Sequence, residues 1–194
     1  MVTGSPAGTA LRWLTSARAV DDELRGSLLA CWRDVSNAGG AVGFPFLPVH
    51  DEHIRPEVEA MVQSLDPALN RLLIATDGAD LAGWLLLAGN ASKLTRHWAT
   101  LLRVQTALQY LCTGVGRALM AEAARAARDD FGLQQLHLEL RAGLGLEAFY
   151  ESCGWKQVGR WPGALALHER DHRDAILMFQ SLQRGSARRR EGAG

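Results

Sequence analysis

Between Val104 and Met120 an apolar stretch turns over two closely spaced glycines into an amphipathic segment: Val104-Gln105-Thr106-Ala107-Leu108-Gln109-Tyr110-Leu111-Cys112-Thr113-Gly114-Val115-Gly116-Arg117-Ala118-Leu119-Met120. A strand that feeds a helix through Gly114 and Gly116 constrains the fold more than any other feature of the chain. Positions without a side chain let the backbone approach a ligand, and the first turn of a helix offers unpaired N–H groups to an anion. Thr113 is expected as the N-cap, accepting from a backbone N–H in that turn. A pyrophosphate suits such a turn, although a plain strand-to-helix turn uses the same residues. The dinucleotide fingerprint wants a third glycine where Leu119 stands. A nucleotide-triphosphate loop wants Gly-Lys-Ser/Thr, a run the chain lacks.

The remaining pattern is that of one α/β domain. Leu11 and Trp13 belong to a first strand. Asp21, Asp22 and Glu23 crowd a first helical turn, where negative charge meets the helix dipole. Leu24, Leu28, Trp32 and Val35 continue that helix to Asn37-Ala38-Gly39-Gly40. A second helix carries Ile54, Val58, Met61, Val62 and Leu65 on one face, with Pro56 near its start and Pro67 past its end. Strands are predicted over 71–76 and 81–87, joined by the hairpin signal Asp77-Gly78, and over 97–106. The helix after the glycines should run over 114–131 and stop at Gly132. A strand over 133–140, a short helix over 145–153 and strands over 155–161 and 175–182 complete the order β-α-α-β-β-β-α-β-α-β-β. The fold class is therefore α/β, a mixed sheet with helices packed on it. The domain is expected over residues 10–183, with disorder at 1–9 and in the Arg-rich tail, 184–194.

Composition narrows the function classes. The chain has 194 residues, 47% hydrophobic and 22% charged, which is enough apolar content to bury a real core. No apolar run approaches the roughly 18 residues of a membrane span, and no secretory leader is read in residues 1–10. The three cysteines, Cys31, Cys112 and Cys153, lack metal or disulfide spacing, so no metal is expected and the cytoplasm is the expected compartment. Net charge is zero, but the first 90 residues carry 6 Arg against 11 Asp and Glu, and the rest 15 basic against 10 acidic residues. An acidic half beside a basic half suits a cationic acceptor and a phosphate-bearing donor. The tail accounts for much of the excess, and the body is not basic enough to predict nucleic-acid binding.

A second stretch adds specificity: Leu136-His137-Leu138-Glu139-Leu140-Arg141-Ala142-Gly143, then Glu147-Ala148-Phe149-Tyr150-Glu151-Ser152-Cys153-Gly154-Trp155. Gly114-Val115-Gly116-Arg117-Ala118-Leu119-Met120 resembles motif A of the GNAT superfamily of acyl-CoA N-acyltransferases. The run from Glu147 to Trp155 resembles its motif B, and the separation between the two also fits, over roughly residues 70–182. The resemblance implies a mixed, mostly antiparallel sheet flanked by helices and an acyl group, acetyl above all, moved from acyl-CoA to an amine. A looser likeness, to the tabtoxin-resistance acetyltransferases, rests on Gly39-Gly40-Ala41-Val42-Gly43-Phe44, Leu136-His137-Leu138, Ala148-Phe149-Tyr150 and Val158-Gly159-Arg160-Trp161-Pro162-Gly163. It implies a small-molecule amine, a toxin or antibiotic, as partner, with no nucleic acid and no membrane; a homodimer is compatible with it.

The resemblance also distributes roles. Donor binding falls to Arg103, Val104, Leu111, Cys112, Thr113, Gly114, Val115, Gly116 and Arg117. Motif A usually has Arg or Gln where this chain has Leu111, and often Gly where it has Cys112. The family's phosphate contacts are largely backbone N–H, so binding can survive the change, weaker or through a reshaped loop. An ammonium acceptor with a pKa near ~10 must lose a proton before attack. Glu139 matches the family's acidic residue facing the acceptor, with His97 and His137 as other candidate bases. Tyr150 matches the tyrosine that protonates the departing thiolate, and the backbone N–H of Val104 matches the donor to the carbonyl oxygen. Read without the family, Glu139 is an exposed strand carboxylate, Tyr150 a packing aromatic, and Cys112 a thiol near a helix start that no His–Asp pattern accompanies. Residues 39–46 join the two N-terminal helices; the resemblance implies that they wall the acceptor site, and an apolar packing patch explains them equally well. The rival to an enzyme is a non-catalytic protein of the same fold, a weak acyl-CoA binder acting as sensor or partner subunit.

Overall fold

The computed structural model describes residues 8–40 and 43–183. The expected disorder at 1–9 and 184–194 falls outside them, except at Gly8 and Thr9. Thr9 opens the first strand, β1 (Thr9–Leu14). There follow α1 (Asp22–Asn37), α2 (Asp51–Gln63), β2 (Asn70–Asp77), β3 (Asp80–Gly89), β4 (Trp98–Thr106), α3 (Val115–Asp129), β5 (Gln135–Arg141), α4 (Glu147–Ser152), β6 (Lys156–His168) and β7 (Asp171–Ser181). The expected order is thus observed, with two short 3-10 turns added at Ala17–Ala19 and Leu108–Tyr110.

One seven-stranded sheet, in the order β1-β2-β3-β4-β5-β7-β6, carries the fold. Every neighbouring pair is antiparallel except β4 with β5. Helices cover both faces of its centre. On one side Leu73, Leu85, Leu87, Leu101, Leu136, Leu138 and Ile176 meet Val115, Leu119, Met120, Ala123 and Ala127 of α3. The alanines of that helix let its axis lie close to the strands. On the other side Leu72, Ile74, Trp84 and Leu86 meet Leu28 and Trp32 of α1 and Ile54, Val58 and Val62 of α2. Strands β2 and β3 are therefore apolar on both faces, which is why they read as continuous hydrophobic runs rather than alternating ones.

Local chemistry sets the helix ends. Asp21 caps α1 by accepting from the Leu24 N–H at 2.8 Å, the usual role of an N-cap carboxylate. Asn37, the last residue of α1, exchanges two bonds with Val49: its Nδ2 donates to the Val49 carbonyl at 2.9 Å and its Oδ1 accepts from the Val49 N–H at 2.7 Å. This clamps the base of the connection that reaches the site. At the far end of α3, the Leu133 N–H donates to the Ala127 carbonyl at 2.7 Å across Gly132, whose φ is +66°. The expected glycine stop is observed.

Two expectations need correction. Thr113 does not cap α3: its hydroxyl donates backwards to the Tyr110 carbonyl at 2.7 Å, and Gly114, with φ +96°, is the N-cap. The last hairpin is longer than the sequence signals. Pro162-Gly163 does not end β6 but sits in a register shift between Trp161 and Leu165, and the hairpin turns at Glu169-Arg170. Asp174 on β7 stabilises the irregularity by accepting from the Gly163 N–H and from Arg160, both at 2.9 Å.

Candidate active site

The site is created by two strands that part company. Strands β4 and β5 pair in parallel only at Trp98–Gln135, Ala99–Leu136 and Thr100–His137. Beyond Thr100 they diverge and leave a gap in the middle of the sheet. On its other side β4 is also irregular. Leu102 pairs with Leu86 and Gln105 with Trp84, so Arg103 and Val104 together oppose the single residue Leu85. Two residues against one make a β-bulge. Arg103 occupies it with φ +55°. The backbone of Arg103 and Val104 thus takes no part in either ladder, next to the gap. This is the backbone from which the Val104 donor is expected.

The gap opens into a cavity of about 670 Å³. Its walls are residues 100–104 of β4, residues 138–141 of β5, Gly40, Gly43, Phe44, Pro45, Leu146, Tyr150, and residues 164–167 of the β6 arm. The cavity brings Glu139 and Tyr150, the two expected catalytic residues, together with Arg103 and Val104. Strand alternation sends Leu138 and Leu140 of β5 into the α3 core, so Glu139 lies on the other face of the sheet, exposed to the cavity. Tyr150, 6% exposed, comes from the α3 side. Its ring packs edge-on against Phe149 (5.1 Å) and Trp155 (6.3 Å). Burial, and secondarily the nearby Cys153, pushes the Tyr150 phenol well above its ordinary pKa. It is therefore a neutral donor at physiological pH.

The residues expected at the donor beyond Val104 stand beside this cavity rather than in its wall. Leu111, Cys112, Thr113 and Gly114 are exposed, and Cys112 has φ +62°. Among the described residues the N–H groups of Cys112, Gly114, Val115, Gly116 and Arg117 have no acceptor, which leaves the start of α3 with a cluster of free donors. A Cβ on Gly114 would meet nothing within 4 Å, so the chain is open to solvent on that side of Gly114. Gly116 serves packing: a Cβ there would come within 3.2 Å of Thr106 Oγ1 and 3.4 Å of Phe149. Val115 sends its side chain into the core and can contribute only backbone. Arg117 lies across to α4, its guanidinium donating to the Ser152 carbonyl and hydroxyl at 3.2 Å each, and so ties the helix bearing Tyr150 to the first turn of α3. The residues present fit a pyrophosphate-bearing donor through backbone N–H groups.

Two other expected bases are elsewhere. His97 lies in the turn before β4, and His137 sits between Trp98 (4.5 Å) and Phe179 (5.6 Å) over the paired end of β5; neither lines the cavity. Burial, with His97 next, lowers the His137 pKa. The loop expected to wall the acceptor site lines the cavity through Gly40, Gly43, Phe44 and Pro45, while Ala41 and Val42 lie outside the described residues. Phe44 is held on Trp32 at 5.7 Å, and the Arg103 guanidinium lies over the same indole at 4.7 Å with Glu57 at 3.7 Å. Sequence reasoning missed Arg141, although simple alternation places it on one strand face with Glu139. It also missed the far half of β6, residues 162–168, where the alternation of Ala164-Leu165-Ala166-Leu167 is short and follows the turn signal Pro162-Gly163.

A bulged strand splayed from its parallel neighbour, with free N–H groups at the helix start that follows it, characterises the fold class of this seven-stranded sheet. The acetyltransferase (GNAT) domain model matches residues 49–161, and the chain belongs to the GNAT acetyltransferase family. A search of curated protein sequences gives no match. Solved structures share the fold. The chain is similar to a putative acetyltransferase from Salmonella typhimurium solved with its cofactor acetyl-CoA (13% identity, TM-score 0.67, 93% of this chain and 97% of that one). It is also similar to the ribosomal-protein-alanine N-acetyltransferase of Brucella melitensis (20%, 0.67, 89% and 99%). A nourseothricin acetyltransferase matches over a shorter span (26%, 0.52, 63% and 70%). Among the described residues no helix is long and apolar enough to cross a membrane.

Proposed function

We propose that the chain transfers an acyl group, acetyl above all, from acyl-CoA to the amine of a small molecule. The observation that carries this reading is the cavity at the β4–β5 splay, which joins an exposed carboxylate, a buried neutral phenol and a bulged backbone. Acyl-CoA would supply the activated thioester, held through its pyrophosphate by the N–H groups of residues 114–117. Glu139, directly or through an ordered water, takes a proton from the incoming ammonium. The Val104 N–H stabilises negative charge on the carbonyl oxygen. Tyr150 gives its proton to the leaving sulfur; a buried thiolate is itself more basic than one in water, which reduces the mismatch with a phenol of raised pKa.

A small acceptor is supported by the apolar walls at Phe44, Pro45 and Leu165, and by the antibiotic in the name of the nourseothricin neighbour. The narrower likeness to tabtoxin-resistance acetyltransferases rests on the sequence alone. One observation favours the non-catalytic rival: Leu111, 54% exposed, presents a bare apolar side chain where the family pattern has a polar one. A melt with coenzyme A and acetyl-CoA tests the donor binding that the enzyme requires, and coenzyme A release with an amine then separates the enzyme from a non-catalytic binder. At about 100 times Kd a ligand adds about 2.7 kcal/mol, or roughly 5–10 °C for a chain of this size. Gly114→Ala, which forces a Cβ onto φ +96°, should remove the shift. No shift with any acyl-CoA would sink the enzyme reading.

A further inference from the structure

Arg141 is a wall residue of the cavity whose guanidinium the protein satisfies only in part. Its Nη2 donates to the Phe44 carbonyl at 3.0 Å, and its Nε is buried without a hydrogen-bond partner. Among the described residues it has no ion pair. The acids on the neighbouring strand β7 are committed elsewhere: Asp171 to Arg173 at 3.0 Å and Asp174 to Arg160 at 2.9 Å. The other arginine of the wall, Arg103, is engaged by Trp32 and Glu57. A half-buried guanidinium without an anion is costly, and capping one carbonyl does not require a permanent cation. Burial, with Arg173 next, depresses the Arg141 pKa against the opposing pull of Asp171, yet an arginine stays charged in a protein. With Glu139 beside it on the same wall and donors of its own still unpaired, Arg141 suits a ligand that brings both an anion and a cation into the cavity.

Geometry says where the two lie. Glu139 and Arg141 stand on one face of β5, two residues apart. That spacing is roughly 6.6 Å along the strand, at ~3.3 Å per residue. A guanidinium fork matches the plane of a carboxylate. The walls around them, Phe44, Leu146 and Leu165, are apolar. We propose that the acceptor is a small amine that also bears a carboxylate, an amino acid in the broad sense, with its amine at Glu139 and its carboxylate on Arg141. The inference rests on the acyl-transfer reading for the reaction, but the anion site stands on Arg141 itself.

The test is calorimetric titration, with coenzyme A saturating, of the proteinogenic amino acids, β-alanine and γ-aminobutyrate. Each is compared with its amide and its decarboxylated amine, and with a short peptide that has a free amine and an amidated C-terminus. At least one free acid should bind about 10-fold or more tightly than its amide and amine. Arg141→Gln should weaken that acid by about 10–100-fold, the scale of a hydrogen bond to a charged group, and Arg141→Lys should retain part of the affinity. Coenzyme A affinity should be unchanged in both. If no free acid outbinds its amide, or if Arg141→Gln binds it as well as the parent, the proposal is overturned; preferential binding of the amidated peptide overturns it in favour of a protein acceptor. Should Arg141→Gln not fold, the acid-to-amide comparison on the parent protein and the Lys variant decide the same question. Binding of a free acid without coenzyme A release from acetyl-CoA would sink acyl transfer and leave the carboxylate site standing. Release with amides as efficient as acids would do the reverse.

Discussion

Arg103 and Cys112 share a backbone conformation that side chains rarely adopt: with φ of +55° and +62° they are the two non-glycine residues with positive φ among the described residues. They bracket the proposed donor site, one at the bulge of β4 and one at the turn into α3. The left-handed conformation costs a residue with a Cβ about 1–2 kcal/mol, and strain of this kind gathers where a site demands a shape.

The shared conformation predicts opposite mutational signs. Cys112 is exposed, so its side chain buries little that could offset the strain. Cys112→Gly should therefore stabilise, by about 0.5–1 kcal/mol after glycine's own entropy cost, or about 1–4 °C in Tm. Arg103→Gly relieves the same strain but loses the stacking on Trp32 and the pair with Glu57, so it should destabilise by about 1–2 kcal/mol. Thermal melts of both variants check this; equal signs would show that backbone strain does not govern the two positions.

A second prediction concerns the acceptor loop. Gly39 and Gly43 both have positive φ, +93° and +101°, but a Cβ on Gly39 meets nothing within 4 Å, whereas one on Gly43 would overlap the Arg103 guanidinium. Gly39→Ala should cost only the conformational strain, about 1–2 kcal/mol. Gly43→Ala should cost that and also push Arg103 off Trp32, by about 1–2 kcal/mol more. Urea denaturation of the pair measures the difference, and equal losses would mean that Arg103 swings aside freely.

Much of this fold could be read from the chain, and the failures have physical causes. Helix α1 announced itself through Asp21 and the run Leu24, Leu28, Trp32; the hairpin at Asp77-Gly78 and the stop at Gly132 follow from turn chemistry that only a few residue types provide. Pro162-Gly163 carries the same chemistry but lies in a strand irregularity, because β7 extends past it with Asp174 holding the bulge. The cleft was legible only through resemblance. Nothing in Thr100-Leu101-Leu102-Arg103 signals where parallel pairing ends, and the bulge is filled by an arginine where glycine would have marked it. Registers between distant strands are set by the packing of α3 and α1 on either face, which a local pattern does not contain.

Tyr150 supplies a third prediction, for stability against pH. Its phenol is held protonated by burial, so its pKa is raised on folding. The unfolded chain begins to lose this proton near pH ~10 and the folded chain does not. Stability is then fully present below pH ~10 and falls above it by up to about 1.4 kcal/mol per pH unit from this group. Tyr150→Phe removes the group and should flatten that part of the profile. Parallel alkaline profiles of parent and variant would show Tyr150 to be solvated if the slopes were the same.

The proposed mechanism predicts that the two cavity groups separate in catalysis. Tyr150→Phe keeps the ring that packs on Phe149 and Trp155 and removes the proton, so coenzyme A affinity should change little while turnover falls by roughly 10²–10⁴-fold. Glu139→Gln should lower turnover on a similar scale at neutral pH, because the acceptor arrives as an ammonium. Its deficit should shrink as pH rises toward the amine pKa near ~10, where free amine no longer needs a base. The Tyr150→Phe deficit should not shrink, since a departing thiolate gains nothing from added hydroxide until its own protonation ceases to matter. Coenzyme A release followed from about pH 6.5 to 9.5 for parent and both variants distinguishes the roles. A Glu139→Gln variant whose deficit stays constant across that range would move the base to another group, and a Tyr150→Phe variant with full turnover would reduce Tyr150 to a packing residue.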